Sequence, residues 1–207
     1  MPVITKLLFS ENHVVVELDG GESLRVGYDV YTGYRLCSGM DLSGDLYMEV
    51  YDESRRFECC SRALSYLGLR ARSVEEMKRY LRKKNFDERH ISEAVEYLKG
   101  KGYLNDYGFA ILYTKDRMKS GRRGKDLIVR DLYRKGIGRK EIDKAIKECG
   151  ADKADEEAVY ALAKKKYESV KNKENPALKV SNYLRQRGFD YDIIKKVLRR
   201  LGEDVEE

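Results

Sequence analysis

Up to Tyr28 the apolar residues fall in strand-like runs, alternating with period two from His13 onward. Val3 to Phe9 is rich in β-formers, Val14 and Val16 alternate within His13 to Leu18, and Leu24, Val26 and Tyr28 continue the alternation. Alternation of this kind marks half-buried strands. Asp19-Gly20-Gly21 between two of the runs is a tight-turn signal. The pattern predicts three strands in a small antiparallel sheet. A sheet of that size is marginal alone, so it is expected to pack on the next segments of the chain. Beyond Tyr28 the alternation loosens, and short helical turns are predicted near Asp29 to Tyr34 and Gly44 to Asp52.

From about Arg56 the apolar spacing becomes helical, and the chain repeats itself. Leu81-Arg-Lys-Lys-Asn-Phe86, Leu132-Tyr-Arg-Lys-Gly-Ile137 and Leu184-Arg-Gln-Arg-Gly-Phe189 align without gaps. Met77, Ile128 and Val180 stand one helical turn before each leading Leu. Ile91/Val95/Leu98, Ile142/Ile146/Cys149 and Ile194/Leu198/Leu201 form i, i+4, i+7 stripes on a second helix. Asn85, Gly136 and Gly188 fall just past the leading helices. Asn and Gly tolerate the left-handed conformation that ends a helix, which predicts three C-caps. Asp87 and Asp190 suit N-caps of the second helices. A further helix precedes each pair, near Cys59 to Leu69, Tyr107 to Met118 and Asp155 to Tyr167. Ser73 with Glu76 reads as a capping box, and Asn175-Pro176 as an N-cap with Pro at the first helical position. The expected fold is mainly α: three tandem three-helix repeats in an elongated, curved array, preceded by a small antiparallel β module. The predicted boundaries are 1–57 for the β module and 58–106, 107–152 and 153–207 for the repeats.

Composition sharpens this picture. Of 207 residues, 38% are charged and 42% apolar, which suits small units with thin cores. The longest run without a charge is Tyr107 to Thr114, too short for a membrane span or the apolar core of a signal peptide. A cytoplasmic protein without membrane contact is expected. The net charge of +6 conceals an asymmetry. Residues 1–58 hold five Lys/Arg and eleven Asp/Glu, whereas residues 59–207 hold 37 and 25. The repeats therefore carry a net +12 that attracts phosphate backbones or an acidic protein surface.

Candidate chemistry is sparse. Cys37, Cys59, Cys60 and Cys149 show neither metal-ligand spacing nor a disulfide framework, so reduced thiols and no metal are expected. Neither a Walker loop nor a nucleophile elbow nor a His-Glu-x-x-His pair occurs. An enzyme is not expected, and no cofactor. The basic residues are the remaining signal: Arg70, Arg72, Lys78, Arg79 and Lys83 in the first repeat, then Arg117, Lys119, Arg122, Arg123, Lys125 and Arg130 in the second. Lys164, Lys165 and Lys166 stand in the third. These cations either meet a partner or simply solvate helix faces. Lys119-Ser-Gly-Arg-Arg-Gly-Lys125 looks like the Gly-x-x-Gly loop of a KH domain, which contacts a nucleic-acid backbone. The strands a KH domain needs are missing around it, and an exposed connector between helices is the other reading. Arg122, Arg123 and Lys125 are expected to be exposed. Tyr80, Tyr103, Tyr107, Tyr113 and Tyr133 are interleaved with the cations, as base-stacking faces or as half-buried packing.

Several pieces together resemble the RecX family, regulators of the RecA recombinase. They are Ala63-Leu-Ser-Tyr-Leu67, Arg70-Ala-Arg72-Ser73…Glu76, Gly102-Tyr-Leu-Asn-Asp106…Phe109-Ala110, Arg117…Gly121…Gly124, and Lys135-Gly136-Ile137. Leu184…Arg187-Gly188-Phe189 is a weaker match. Cys149 stands where an aliphatic residue is usual. The resemblance implies a regulatory protein that lodges on the RecA–single-stranded DNA filament. There it limits the recombinase, ATPase and coprotease activities, within DNA repair and the SOS response. It implies RecA as partner, with single-stranded DNA and double-stranded DNA as further contacts, and a monomeric regulator. The residues alone leave a second class open, an autonomous nucleic-acid-binding helical-repeat protein.

Overall fold

The computed structural model describes residues 2–42, 44–153 and 155–206, the last four by their backbone alone. Three strands precede ten helices among these residues. Contacts divide the chain into two units, one of Met1–Arg72 and Glu76–Leu104, the other of Ser73–Glu75 and Asn105–Glu207.

In the first unit, β1 (Ile4–Phe9), β2 (Val14–Leu18) and β3 (Ser23–Val26) form an antiparallel sheet in sequence order. Val16 pairs with Leu7 on one side and Leu24 on the other. The alternation of β2 turns Val14, Val16 and Leu18 into a core with Leu24, Val26 and Leu42. That core also takes Val30 from α1 (Tyr28–Gly33) and Val50 from α2 (Gly44–Leu67). The Arg25 amide donates to the buried Ser54 hydroxyl at 3.0 Å, so α2 satisfies part of the β3 edge.

The short turn predicted at Gly44 to Asp52 and the helix predicted near Cys59 are one helix of 24 residues. Its buried positions are Val50, Ser54, Cys59 and Ala63. Two are small or polar, so a period-3.6 apolar stripe never develops along its length. α3 (Val74–Lys83) and α4 (Glu88–Gly100) come next. Met77, Leu81, Ile91, Val95 and Leu98 are buried on them, as the stripes predict, together with Ala94.

The second unit holds α5 (Asp106–Lys119), α6 (Lys125–Arg134) and α7 (Arg139–Glu148), then α8 (Glu156–Glu168), α9 (Pro176–Gln186) and α10 (Tyr191–Glu206). One core joins Phe109, Ala110, Ile128, Leu132, Ile137, Ile142 and Ile146. Another joins Val159, Ala163, Val180, Leu184, Phe189, Ile194 and Leu201. Each fully buried Leu or Ile contributes about 1.5–3 kcal/mol. Asn105 caps α5 by accepting from the Gly108 amide, and Asp155 caps α8 by accepting from the amides of Glu157 and Ala158.

The leading helix of each repeat ends in the same motif. Asn85, Gly136 and Gly188 have φ of 59°, 78° and 81°. Their amides donate to Arg82, Tyr133 and Arg185, and the next residues, Phe86, Ile137 and Phe189, donate to Leu81, Leu132 and Leu184. This is the Schellman arrangement, with the adjoining apolar residue folded into the core. The N-caps are more mixed. Asp190 accepts from the Ile193 amide at 2.9 Å. Asp87 sits at the N-cap of α4, but its side chain caps no amide and stands 3.8 Å from His90 Nδ1. Asn175 takes a left-handed conformation and its side chain makes no cap bond, so Pro176 alone marks the start of α9.

Equivalent positions also make equivalent contacts. Ser73 and Gly124 each lie eight residues before the leading Leu of their repeat. The Ser73 hydroxyl donates to the Lys135 carbonyl at 2.6 Å, and the Gly124 amide donates to the Arg187 carbonyl at 2.8 Å. Lys135 and Arg187 are matching C-caps one repeat further on. At Gly124 and Gly188 the two backbones touch. A Cβ on Gly124 would lie 2.2 Å from the Gly188 carbonyl oxygen, and one on Gly188 would lie 2.2 Å from the Leu127 nitrogen. The corresponding position in the third repeat is Pro176, which has no amide to donate.

Candidate functional site

Among the described residues no group of His, Cys, Asp and Glu is placed to hold a metal ion, and no helix is long and apolar enough to cross a membrane. What the structure does assemble is a set of cation–aromatic stacks.

In the first repeat Tyr66 and Tyr80 stack with centroids 3.9 Å apart and planes 9° from parallel. The Arg72 guanidinium lies 3.8 Å from the Tyr66 centroid, and Lys84 Nζ lies 5.9 Å from Tyr80. The second repeat places Arg117 4.6 Å and Lys135 5.3 Å from the Tyr113 centroid. In the third, Lys166 and Arg187 lie 5.5 Å and 5.0 Å from Tyr183, while Lys164 and Arg200 lie 5.9 Å and 4.1 Å from Tyr160. Lys84, Lys135 and Arg187 occupy one position of the repeat, three residues after Leu81, Leu132 and Leu184. Tyr66, Arg117 and Lys166 each lie three residues after a fully buried small side chain, Ala63, Thr114 or Ala163. The Schellman end and the packed small residue thus aim the stacks. A cation over a ring gains about 0.5–2 kcal/mol while keeping a charged, planar surface available. Hydrogen bonding to Tyr113 raises the Arg117 pKa above the usual guanidinium value, so its charge is permanent.

The sequence-derived cations divide in two. Lys83, Lys119, Arg122, Lys125 and Lys165 are exposed and carry no ion pair among the described residues. Arg79 is exposed on α3 and Lys78 half-buried. Others are already engaged. Arg70 pairs with Glu76 at 3.1 Å, and Arg130 Nε donates to the Asp126 carbonyl at 3.4 Å. Arg123 is not exposed as expected. It is half-buried and pairs at 2.6 Å with Asp131, which also accepts from the Tyr113 hydroxyl at 3.0 Å. Asp131 is itself mostly buried, which draws the guanidinium inward.

The Gly121–Gly124 segment differs from an open phosphate loop. The Gly124 amide is spent on Arg187, and its missing side chain makes room for the Gly188 backbone. The loop therefore joins two repeats, and its exposed tip is Arg122, whose carbonyl accepts from Arg187 at 3.4 Å. Tyr66, Lys135, Tyr183 and Arg187 lie outside the sequence-derived set. The recurring cation three residues after each leading Leu is the sequence signal for two of them.

Comparison with known proteins agrees with this architecture. A model of the first three-helix domain of RecX matches residues 59–98, and one of the third three-helix domain matches residues 154–198. A regulatory protein RecX of Clostridioides difficile is 30% identical over 206 residues, covering 97% of this chain and 96% of its own. One of Bacillus licheniformis is 31% identical over 207 residues, covering 96% and 77%. A crystal structure of regulatory protein RecX superposes with a TM-score of 0.74 at 22% identity, over 95% of this chain and 98% of that one. RecX from Lactobacillus salivarius gives 0.63 at 27% identity, over 72% and 97%. With repeats, caps and full-length relatives in agreement, the chain belongs to the RecX family of regulatory proteins.

Proposed function

We propose that the chain binds the RecA–single-stranded DNA filament in the cytoplasm and inhibits its recombinase, ATPase and coprotease activities, as a monomer without catalytic chemistry or cofactor of its own. It would thereby act in the regulation of DNA repair and recombination. The observation that carries the reading is the recurrence of the cation–aromatic stack in each repeat of a RecX-family chain. A filament is itself a repeating object, and recurring contacts suit it. In this reading the repeats bounded at 58–106, 107–152 and 153–207 each present at least one stack, and the third presents two, on Tyr160 and Tyr183. Arg72, Arg117, Lys164 and Lys166 act within the stacks. The exposed cations Lys83, Lys119, Arg122, Lys125 and Lys165, with Lys78 and Arg79, meet acidic protein surface or phosphate. Arg70, Arg123 and Arg130, already engaged inside the chain, contribute by holding that surface in place. Such electrostatic contacts chiefly speed encounter and weaken as salt shortens the Debye length from about 10 Å at 0.1 M.

Fluorescence anisotropy with RecA filaments on labelled single-stranded DNA tests this. Replacing Lys119, Arg122 and Lys125 together by Glu is expected to weaken filament binding and flatten its salt dependence. Unchanged binding at low salt removes the patch from the mechanism. The Tyr66–Tyr80 stack also favours a second reading, direct binding of single-stranded nucleic acid. Steeply salt-dependent binding to naked DNA with no effect on RecA would select it.

A further inference from the structure

A cavity of about 420 Å³ lies in the first unit, away from the stacks, between the start of α1, the middle of α2 and α4. Its floor is apolar: Val30, Phe57 and the side of the Cys60 thiol, continuing onto Leu64 and Tyr97. Leu64 and Tyr97 are 43% and 50% exposed, so the apolar surface runs out of the cavity onto the face beside it. The lining is acidic as well: it includes Asp29, Glu53 and Glu93, and Arg56 is the one cation in it among the described residues. Arg56 is held by Glu53 at 2.6 Å, and Glu93 is held from outside the cavity by Arg89 at 3.1 Å. Asp29 is exposed and makes no ion pair among the described residues. Asp29, Glu53 and Phe57 come from the acidic part of the chain, residues 1–58, opposite in sign to the repeats.

We propose that this cavity receives an arginine side chain presented by a protein partner, with an apolar neighbour of that arginine seated on Leu64 and Tyr97. The arginine stem matches the apolar floor while its guanidinium edge meets the carboxylates; the ring open to it is Phe57, which packs against His13 at 5.7 Å, since Lys101 Nζ already lies 5.8 Å from the Tyr97 centroid. The chain uses the same solution internally, where Arg55 lies 4.6 Å over Phe86 and Arg72 lies 3.8 Å over Tyr66. Guanidinium suits the site better than ammonium, since its planar fork both stacks and bonds to more than one carboxylate. The occupant is a peptide arginine rather than the free amino acid. In the free molecule the α-ammonium and α-carboxylate cancel and must both be desolvated, and it offers nothing to the exposed apolar shelf. The proposal stands apart from filament binding, which involves cations rather than this acidic face.

The test uses the full chain and the peptide acetyl-Leu-Arg-Leu-amide, monitored by calorimetry and by iodoacetamide labelling read peptide by peptide. The peptide is expected to bind and to slow labelling of Cys60, while the exposed Cys37, outside the cavity, labels unchanged. Replacing the peptide's arginine by citrulline, which keeps the shape and removes the charge, is expected to weaken binding about tenfold, as is Asp29→Asn. Since Asp29 is exposed, that variant keeps its fold, verified by an unchanged melting curve. Absence of binding at millimolar peptide overturns the proposal. So does equal affinity for the citrulline peptide, or binding that leaves Cys60 unprotected. Free arginine binding as tightly as the peptide overturns the assignment to a protein partner.

Discussion

Gly188 offers a quantitative test of how the second and third repeats are joined. At φ of 81° it sits where an L-residue is strained, and an added Cβ would lie 2.2 Å from the Leu127 nitrogen and 2.6 Å from its Cβ. Gly102 has a similar φ of 75°, yet a Cβ there meets nothing within 4 Å. Gly102→Ala therefore isolates the backbone strain, about 1–2 kcal/mol. Gly188→Ala adds an overlap that only backbone movement relieves, about 1–3 kcal/mol for overpacking. That movement stretches two hydrogen bonds, from the Gly124 amide to Arg187 and from the Asp126 amide to Gly188, each contributing about 0.5–1.5 kcal/mol. The expected cost of Gly188→Ala is thus about 3–8 kcal/mol, against about 1–2 for Gly102→Ala. Urea unfolding measures the difference. Native-state hydrogen exchange localises it, with protection lost at the Gly124 and Asp126 amides in the Gly188 variant alone. If the two variants fall within about 0.5 kcal/mol of each other, or if those amides keep their protection, the close backbone junction is wrong.

Single contacts carry other expectations. Arg123→Glu should lower stability by about 1–3 kcal/mol, because it leaves Asp131 facing a like charge, while Arg122→Glu should change it by less than about 0.5 kcal/mol. Thermal melts compare the two, and equal effects would refute the Arg123–Asp131 assignment. Thr114 is fully buried and its hydroxyl has no partner among the described residues. Thr114→Val keeps the shape and should raise stability by about 1 kcal/mol; a loss would mean that the hydroxyl is bonded. Burial, reinforced by the neighbouring Cys60, pushes the Cys59 thiol up to about 12 from an ordinary value of 9.0. Between those values the unfolded chain releases the proton and the folded chain keeps it, so this thiol makes stability fall as pH rises from 9.0 towards about 12. Cys59→Ala should flatten that slope in pH-dependent unfolding; an unaltered slope would contradict the assignment.

Much of the fold is legible in the sequence because its signals are local. The Leu81, Leu132 and Leu184 alignment places each helix pair, and the left-handed Asn85, Gly136 and Gly188 sit where a helix-ending residue is expected. These depend on spacing and backbone freedom, which one chain reveals. The stripe also explains Cys149, a half-buried thiol whose Sγ faces the Ile111 carbonyl at 3.8 Å. Other features depend on partners far along the chain. Gly124 looks like half of a phosphate-binding loop until Gly188 is brought against it. Arg123 looks like its neighbour Arg122 until Asp131 is found beside it. α2 is obscured because Ser54 and Ala63 bury small surfaces, and Ser54 is buried for a hydrogen bond to Arg25 rather than for its apolarity. The stacks are half visible: the sequence shows cations interleaved with tyrosines, but tertiary packing decides which cation covers which ring.

The central claim is that this RecX-family chain restrains the RecA filament. Its most direct test is the single-stranded-DNA-dependent ATPase of RecA, measured with the purified chain titrated to stoichiometric amounts. ATP hydrolysis is expected to fall as the chain is added, with less inhibition by the Lys119, Arg122 and Lys125 triple Glu variant. An undiminished rate at stoichiometric protein, with the chain folded and in excess over free DNA ends, would contradict the account.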